Sequence, residues 1–386
     1  MPSHKHILFF VPHFNVGGMI VSLQSLLYEL SAKDIKVDIF ALDRSGVYID
    51  KLPNCRILPE EVWLSSRLHS DNIIKRAFHF FIRFLRKVSP LIGLNVDKFF
   101  IKLGGNKINT IDYDAVISFQ ENLTEKVCYV PAKKRIAWIH CDYSRYKNLF
   151  PKNEESFFSL FDTVVCVSEF TRKVFCDLVN ISPEKVVCVR NCINFRQILR
   201  RSEEGKDLDP MFDAKSYTIV SIGRLDPVKR FNVIPDIAAS ISKRCNIQFK
   251  WYIIGGKRGH TEEENIINAK ILRNGVAEKI HVLSEKDNIY PYLKLSDLYV
   301  CTSLSEAYPM AINEAKVLGI PIISANFGSA SEVVNEGSDG YILPVEAMAD
   351  KIIALMEGKL NKLTKVPIEV FSTNNAVEVE KFLNLI

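Results

Sequence analysis

Ile7-Leu8-Phe9-Phe10-Val11 runs into Pro12-His13-Phe14-Asn15-Val16-Gly17-Gly18, and how these residues are read decides the fold. An unbroken apolar run of this length fits a parallel strand buried on both faces, where alternation would mark a half-exposed one. The loop gives way to apolar residues at helical spacing (Ile20, Leu23, Leu26, Leu27, Leu30), and residues 37–42 form a second strand pattern. Strand, loop, helix and strand in that order make a βαβ unit. The alternation continues through 115–119, 134–139 and 163–167, which predicts a parallel sheet covered by helices on both faces.

A chain of 386 residues is too long for one ordinary domain. From 196 to 216 it turns polar (Arg200-Arg201-Ser202-Glu203-Glu204-Gly205-Lys206-Asp207), the best candidate for a linker. A second alternation follows. Strands are predicted at 217–222, 249–254, 280–283, 298–301, 321–324 and near 341–343, with helices from Phe231, over 262–274 and over 309–318. The expected organisation is a first Rossmann-like domain over 1–195, a linker over 196–215 and a second domain over 216–370. A final helix over 371–386 is expected to return to the first domain. Ligands of such sheets bind outside the carboxyl ends of the strands, so the expectation is two doubly wound domains facing a cleft.

With 47% hydrophobic and 25% charged residues, the composition excludes a disordered or collagen-like chain. Nine scattered cysteines include no C-x-x-C pair, which points to reduced thiols rather than a disulfide scaffold. No signal-peptide core opens the sequence and no long apolar run suggests a spanning helix, so a cytoplasmic protein is expected. The net charge of +5 is too mild to argue for nucleic acid as a partner.

Chemistry concentrates in Ser221-Ile222-Gly223-Arg224-Leu225-Asp226-Pro227-Val228-Lys229-Arg230. A buried strand ends in a glycine turn, and Arg224 and Lys229 follow before a helix. A guanidinium fork, a point charge and free backbone N–H groups make a receptacle for a diphosphate. Taken alone, the basic pair reads more simply as a solvated loop. Its company is Ser305-Glu306-Ala307-Tyr308-Pro309-Met310-Ala311-Ile312-Asn313-Glu314-Ala315, directly after a strand. Pro309 suits a first helical turn. Glu314 then lies inside the helix and can accept both hydroxyls of a ribose. Glu306 on the loop can hold a sugar hydroxyl, or simply favour the helix N-terminus electrostatically.

Gly223-Arg224 with Lys229, Glu306-x7-Glu314, and Asn326-Phe327-Gly328-Ser329-Ala330-Ser331-Glu332 together resemble the carboxy-terminal half of retaining glycosyltransferases of family 4, which have the GT-B fold. Asp287-Asn288-Ile289-Tyr290-Pro291-Tyr292-Leu293, followed by Ser296-Asp297-Leu298-Tyr299-Val300, fits the same pattern. The first half matches more thinly, through Gly17-Gly18, Trp138-Ile139-His140-Cys141-Asp142, Val167-Ser168-Glu169-Phe170 and Val189-Arg190-Asn191.

The resemblance implies that Arg224 and Lys229 hold the donor diphosphate and Glu314 the ribose. Glu306 would take the transferred sugar and the backbone near Lys286, Asp287 and Asn288 the base, with Gly223, Ala307, Tyr308 and Pro309 also in the donor-binding set. Gly17 and Gly18 would admit the phosphates, as glycine allows close approach. His140 and Asp142 would lie on the acceptor side, His140 beside the reacting centre. A lone histidine after a strand is as readily structural. The sequence departs from the family at Met19-Ile20, at Ala307 and at Cys192, where a glutamate and two glycines are usual.

A nucleoside diphosphate leaving group, expected to be UDP, needs its charge neutralised as the glycosidic bond breaks. The two cations and helix N-termini could supply that without a metal. Asp112-Tyr113-Asp114 and Asp207-Leu208-Asp209 are not at strand ends, and no cluster has metal-ligand spacing, so neither metal nor cofactor is expected.

Residues 73–88 form a basic amphipathic stretch. On a helical wheel, Lys75, Arg76, His79, Arg83, Arg86 and Lys87 fall on one arc and every Phe, Ile and Leu on the other. The segment 73–107 holds eight Lys/Arg against Asp97 alone, while the rest of the chain carries 42 basic and 44 acidic residues. The excess is therefore one local patch. Lys75, Arg76, Arg83, Arg86 and Lys87 are expected to face an anionic membrane; an ordinary domain helix with a solvated face is the simpler alternative.

The function expected from these signs is sugar transfer from a nucleotide sugar to a glycan or lipid-linked saccharide of a surface polysaccharide. The place would be the inner face of the cytoplasmic membrane. A nucleotide-sugar 2-epimerase of the same fold, or a non-catalytic sugar-nucleotide-binding module, stays open as an alternative.

Overall fold

The computed structural model describes residues 5–94, 96–108, 111–147, 154–204, 208–256, 261–360 and 363–386. The chain divides into two compact units, Met1–Cys192 with Asn374–Ile386, and Ile193–Thr373.

The first unit is built on a seven-stranded sheet: β1 (Lys5–Val11), β2 (Ile35–Ala41), β3 (Arg56–Ile57), β4 (Ala115–Ser118), β5 (Lys134–Ile139), β6 (Thr163–Cys166) and β7 (Val186–Cys188), in the order β3-β2-β1-β4-β5-β6-β7. Every pairing is parallel. Ile7 to Val11 are each fully buried, as an apolar run at the sheet centre requires. Helix α1 (Gly18–Leu30) supplies the first crossover. β3 and β7 are too short to show a period and are invisible in the sequence pattern.

The second unit carries β8 (Tyr217–Ile222), β9 (Phe249–Ile254), β10 (Ile280–Leu283), β11 (Leu298–Cys301), β12 (Ile322–Ala325) and β13 (Gly340–Leu343) in the order β10-β9-β8-β11-β12-β13, again all parallel. Both sheets are Rossmann-like, as the alternation predicted. The helix expected from Phe231 begins as a 3-10 turn, Phe231–Val233, and becomes α-helical over Ile234–Arg244.

Two helices of the first unit lie outside the strand alternation: α2 (Ile73–Val88) and α3 (Asp97–Ile108). Asn72 caps α2, its side chain accepting the Lys75 N–H at 3.1 Å. The helix rests on the unit through His79 and Ile82, 5% and 1% exposed. The arrangement corrects one member of the set expected to face a membrane, Arg86. Arg86 does not share the exposure of Lys75, Arg76, Arg83 and Lys87. Its guanidinium lies 2.8 Å from Asp97 and donates to the Trp63 carbonyl at 2.6 Å. A tertiary carboxylate and a free carbonyl draw this one cation inward, and neither is visible in the helix's own sequence.

The polar stretch expected as a linker is helical in its first third and turns and irregular backbone over 208–216; residues 205–207 lie outside the described residues. It opens with α4 (Phe195–Ser202), whose Asn194 cap accepts the Gln197 N–H at 3.1 Å. Phe195 and Ile198 are buried one turn apart beneath charged neighbours that mask the pattern. Helix α5 (Met310–Val317) follows β11, and α6 (Ile368–Leu383) closes the chain. Within the first unit, Phe382 of α6 is fully buried against Phe9 and Trp138, with ring centroids 6.2 and 5.6 Å away.

Candidate functional site

In the second unit, the loops after β8, β9 and β11 meet at the carboxyl end of the sheet. The Gly223 N–H donates to the Ile254 carbonyl and the Leu225 N–H to that of Gly256, each at 3.0 Å. A Cβ on Gly255 would fall 1.7 Å from the Gly223 carbonyl oxygen, so only glycine permits this crossing. A Cβ on Gly223 would sit 3.2 Å from the Lys229 side chain, which lies across it. Asp226 fixes the next turn, Pro227–Lys229, its carboxylate accepting the Val228 N–H at 2.8 Å.

The turn directs Lys229 at Glu306. Its ammonium donates to Glu306 Oε1 at 2.5 Å, and the Ser303 hydroxyl donates to the same oxygen at 2.6 Å. The resemblance implies separate ligand roles for the two residues; the tertiary structure makes them partners of one another. Burial alone would pull the Lys229 pKa down, but the Glu306 carboxylate outweighs it and raises the value. Thr302 and Leu304 bind the Lys229 and Val228 carbonyls at 2.8 Å, so the two loops are stitched together by backbone as well as charge. Arg224 is half exposed, 3.5 Å from Asp226.

Ala307 and Pro309 are buried and Tyr308 partly so. Pro309 stands at the N-cap of α5, one residue ahead of the first helical turn expected for it, with an extended ψ of 106°. Glu314 projects from the helix interior, 5% exposed, and accepts the Tyr290 hydroxyl at 3.3 Å. Burial pushes its carboxyl up to about 7, against the opposing pull of Tyr290 and Arg201.

The loop of Lys286, Asp287 and Asn288 is anchored by its side chains. Lys286 donates to Asp209 at 2.6 Å, and Asn288 to the Arg201 carbonyl at 2.8 Å. Arg201 in turn donates to the Asp287 carbonyl at 2.8 Å, and its guanidinium lies 5.6 Å from the Tyr290 ring centroid. Arg201 and Asp209 belong to the polar stretch and were missed as site residues, because no local pattern shows that α4 returns to this loop. Thus Arg224, Lys229, Glu306 and Glu314, with the 286–288 loop, gather at one end of one sheet.

In the first unit, Gly17 caps α1 and Gly18 opens it. His140 follows β5, its ring tilted against Phe119 at 4.7 Å and stacked on Trp138 at 6.1 Å. Burial pushes its pKa down to about 3, which keeps the imidazole neutral. Its Nε2 has no hydrogen-bond partner among the described residues, and its backbone N–H donates to buried Glu121 at 3.0 Å. Glu121, directly after β4, was not singled out in the sequence. Asp142 caps the short helix Tyr143–Tyr146, accepting the Ser144 N–H at 3.1 Å. Of the Asp-x-Asp residues, Asp114 pairs with Lys133 and Asp209 with Lys286, while Asp207 lies outside the described residues. Among the described residues, no group of three or more His, Cys, Asp or Glu side chains is arranged to hold a metal ion.

Comparison with known proteins follows the same division. Residues 16–197 match the family model Glycosyltransferase Family 4, and residues 208–369 match Glycosyl transferases group 1. The O-antigen biosynthesis glycosyltransferase WbnH of Escherichia coli is 29% identical over 208 residues, 54% of this chain and 53% of that one. The UDP-Gal:alpha-D-GlcNAc-diphosphoundecaprenol alpha-1,3-galactosyltransferase of Escherichia coli is 22% identical over 205 residues, 53% of this chain and 52% of that one. The match spans about half the length of these curated relatives. Among solved structures, Anabaena HepE in complex with UDP and glucose superimposes with a TM-score of 0.67 at 16% identity, covering 98% of this chain and 96% of that one. Two Rossmann-like parallel sheets, the cation and carboxylate loops at the end of the second, and both family matches agree: this chain belongs to the glycosyltransferases of the GT-B fold, with a family 4 first half and a group 1 second half.

Proposed function

We propose that the protein is a retaining glycosyltransferase that moves a sugar from a UDP-sugar, without a metal ion, to a hydroxyl of a glycan or lipid-linked saccharide. The pathway is surface polysaccharide biosynthesis, O-antigen or lipopolysaccharide in kind. Its place of work is the cytoplasmic face of the cytoplasmic membrane. One observation carries the proposal: the Lys229–Glu306 pair at the end of the second sheet, with Glu314 on the helix that follows. Names of the relatives, an O-antigen enzyme and a galactosyltransferase acting on a lipid diphosphate sugar, support the choice of acceptor.

On this reading Glu314 accepts the ribose hydroxyls, and the 286–288 loop, held by Arg201 and Asp209, receives the base. Lys229, Arg224 and the N-terminus of α5 stabilise the charge that develops on the diphosphate as the glycosidic bond breaks. Glu306 keeps Lys229 aimed and meets a hydroxyl of the transferred sugar. Retention requires the acceptor oxygen to enter on the face from which the diphosphate leaves, so the hydroxyl proton can pass to a departing phosphate oxygen. His140 and the loop after β5 are assigned to the acceptor side, where a neutral imidazole can accept a hydrogen bond.

The test is turnover with a panel of nucleotide sugars and lipid-linked acceptors, followed by mass spectrometry and linkage analysis of the product. Acceptor-dependent release of UDP is expected, and Lys229→Ala should lower kcat/KM by ~10²-fold or more, the scale of losing a transition-state charge contact. An epimerised donor without transfer, donor binding without turnover, or near-normal kinetics of Lys229→Ala would each overturn the proposal.

A further inference from the structure

Helix α2 faces the wrong way for a helix that merely covers a domain. Its contact side is centred on His79, Ile82 and Arg86, which at about 100° per residue share one wedge, with Phe78 at its edge meeting the Trp63 ring at 5.2 Å. Two of the three anchor it by polar bonds: His79 Nδ1 lies 3.1 Å from the Val62 carbonyl, and Arg86 binds Trp63 and Asp97. The opposite side carries Ile73, Ile74, Phe80, Phe81 and Phe84, exposed by 78, 79, 73, 52 and 53%. Leu91, Leu94 and Phe99, 82, 58 and 61% exposed, follow the helix. A surface helix ordinarily buries its apolar stripe and solvates the polar one; here the apolar stripe is the solvated one. Such a run of exposed aromatic and aliphatic side chains marks an interaction surface.

Charge identifies the occupant. Arg76, Arg83 and Lys87 are exposed along one flank, and residues 73–96 contain no Asp or Glu. A second copy of the chain pressed face to face would bring two cationic flanks together. An anionic bilayer offers acyl chains to the phenylalanines and phosphates to the flank at once. Among the described residues no helix is long and apolar enough to cross a membrane, so the contact is interfacial.

We infer that α2 docks on an anionic bilayer with its apolar face leading, Phe80, Phe81 and Phe84 entering the acyl boundary and Arg76, Arg83 and Lys87 meeting lipid phosphates. The inference deepens the membrane reading of the proposed function, naming the surface and giving insertion, not charge alone, the decisive part.

Flotation of the full chain with vesicles of phosphatidylcholine, with and without 30% phosphatidylglycerol (about a third anionic lipid, enough for a surface field), tests it without donor or acceptor present. Wild type should float with the anionic vesicles. Phe80→Ser/Phe84→Ser, which leaves every charge in place, should lower partitioning by ~10-fold or more. Arg76→Gln/Arg83→Gln should lower it mainly at low salt. Phe80→Trp should show blue-shifted emission, quenched by brominated acyl chains. Both altered side chains of the serine variant are exposed, and unchanged circular dichroism and UDP binding certify its fold. Three results would overturn the inference: no flotation of wild type, serine variants that float as well as wild type, or concentration-dependent dimers abolished by those variants without vesicle binding. A chain that floats as described but transfers no sugar supports this surface while refuting the transferase proposal.

Discussion

Glu314 is a carboxylate in a place that disfavours its charge. Burial lifts it to about 7, while Tyr290 and Arg201 pull the other way. Because the folded value lies above that of an ordinary carboxylate, the group binds a proton in the folded chain before it does in the unfolded one. Its contribution to stability is therefore fully present below about 4.3 and is lost as pH rises through 7. On the proposed role of Glu314, donor binding has the opposite sign, since ribose hydroxyls need the ionised acceptor. Donor kcat/KM should fall as pH drops below 7, approaching ~10-fold per unit, and Glu314→Gln should flatten that limb while raising donor KM. His140, held down to about 3, should add no limb between pH 5 and 8. A pH profile of UDP affinity and of kcat/KM checks both statements. Arg201 works on the same carboxylate from a distance and on the 286–288 loop directly, which makes it a positioning residue.

Among elements, β2 shows how a strand carries a buried charge without breaking the sheet. Asp38 is 2% exposed, yet Arg56 donates to it at 2.9 and 2.5 Å, Tyr113 at 2.6 Å, and His6 Nε2 lies 3.1 Å away. Burial raises its pKa, but these partners outweigh it and leave the value lowered. Its stabilising contribution is thus present above about 3.9 and lost as pH falls through the still lower folded value. Asp38→Ala strands the fully buried Tyr113 hydroxyl and should cost about 3 kcal/mol in denaturant unfolding of the full chain. Helix α5 answers a similar demand differently: Lys316 near its end pairs with Asp339 at 2.9 Å, both nearly buried. An apolar run predicts β2 and its place after a strand predicts α5, but their charged members find partners only on other segments of the chain. That is why the Asp38 cluster and the Lys229–Glu306 pair were not legible as pairs, although Lys229 and Glu306 were legible as residues.

At the scale of the whole molecule, the last residues matter to the first unit. Phe382 lies against Phe9, at the opposite end of the sequence, and against Trp138. Phe382→Ala should destabilise that unit by about 3–5 kcal/mol, the cost of emptying an aromatic core site. Its unfolding, followed by tryptophan emission in a Trp63→Phe/Trp251→Phe background, should shift to lower denaturant. Two parallel sheets, their central strands, the cation turn and the two glutamates could be read from order and spacing. Apolar runs, helical periods and glycine turns are local properties that the chain carries with it wherever it folds. The sequence by itself therefore determined the doubly wound architecture and the residue types of the loops that carry the candidate site. Only the tertiary structure decided that Glu306 holds Lys229, that α4 brings Arg201 to the 286–288 loop, and that α2 turns its His79, Ile82 and Arg86 edge inward and leaves Phe80, Phe81 and Phe84 exposed. Those outcomes depend on which surfaces the crossovers bring face to face, and a helix's own pattern tells which sides differ but not which side finds a neighbour.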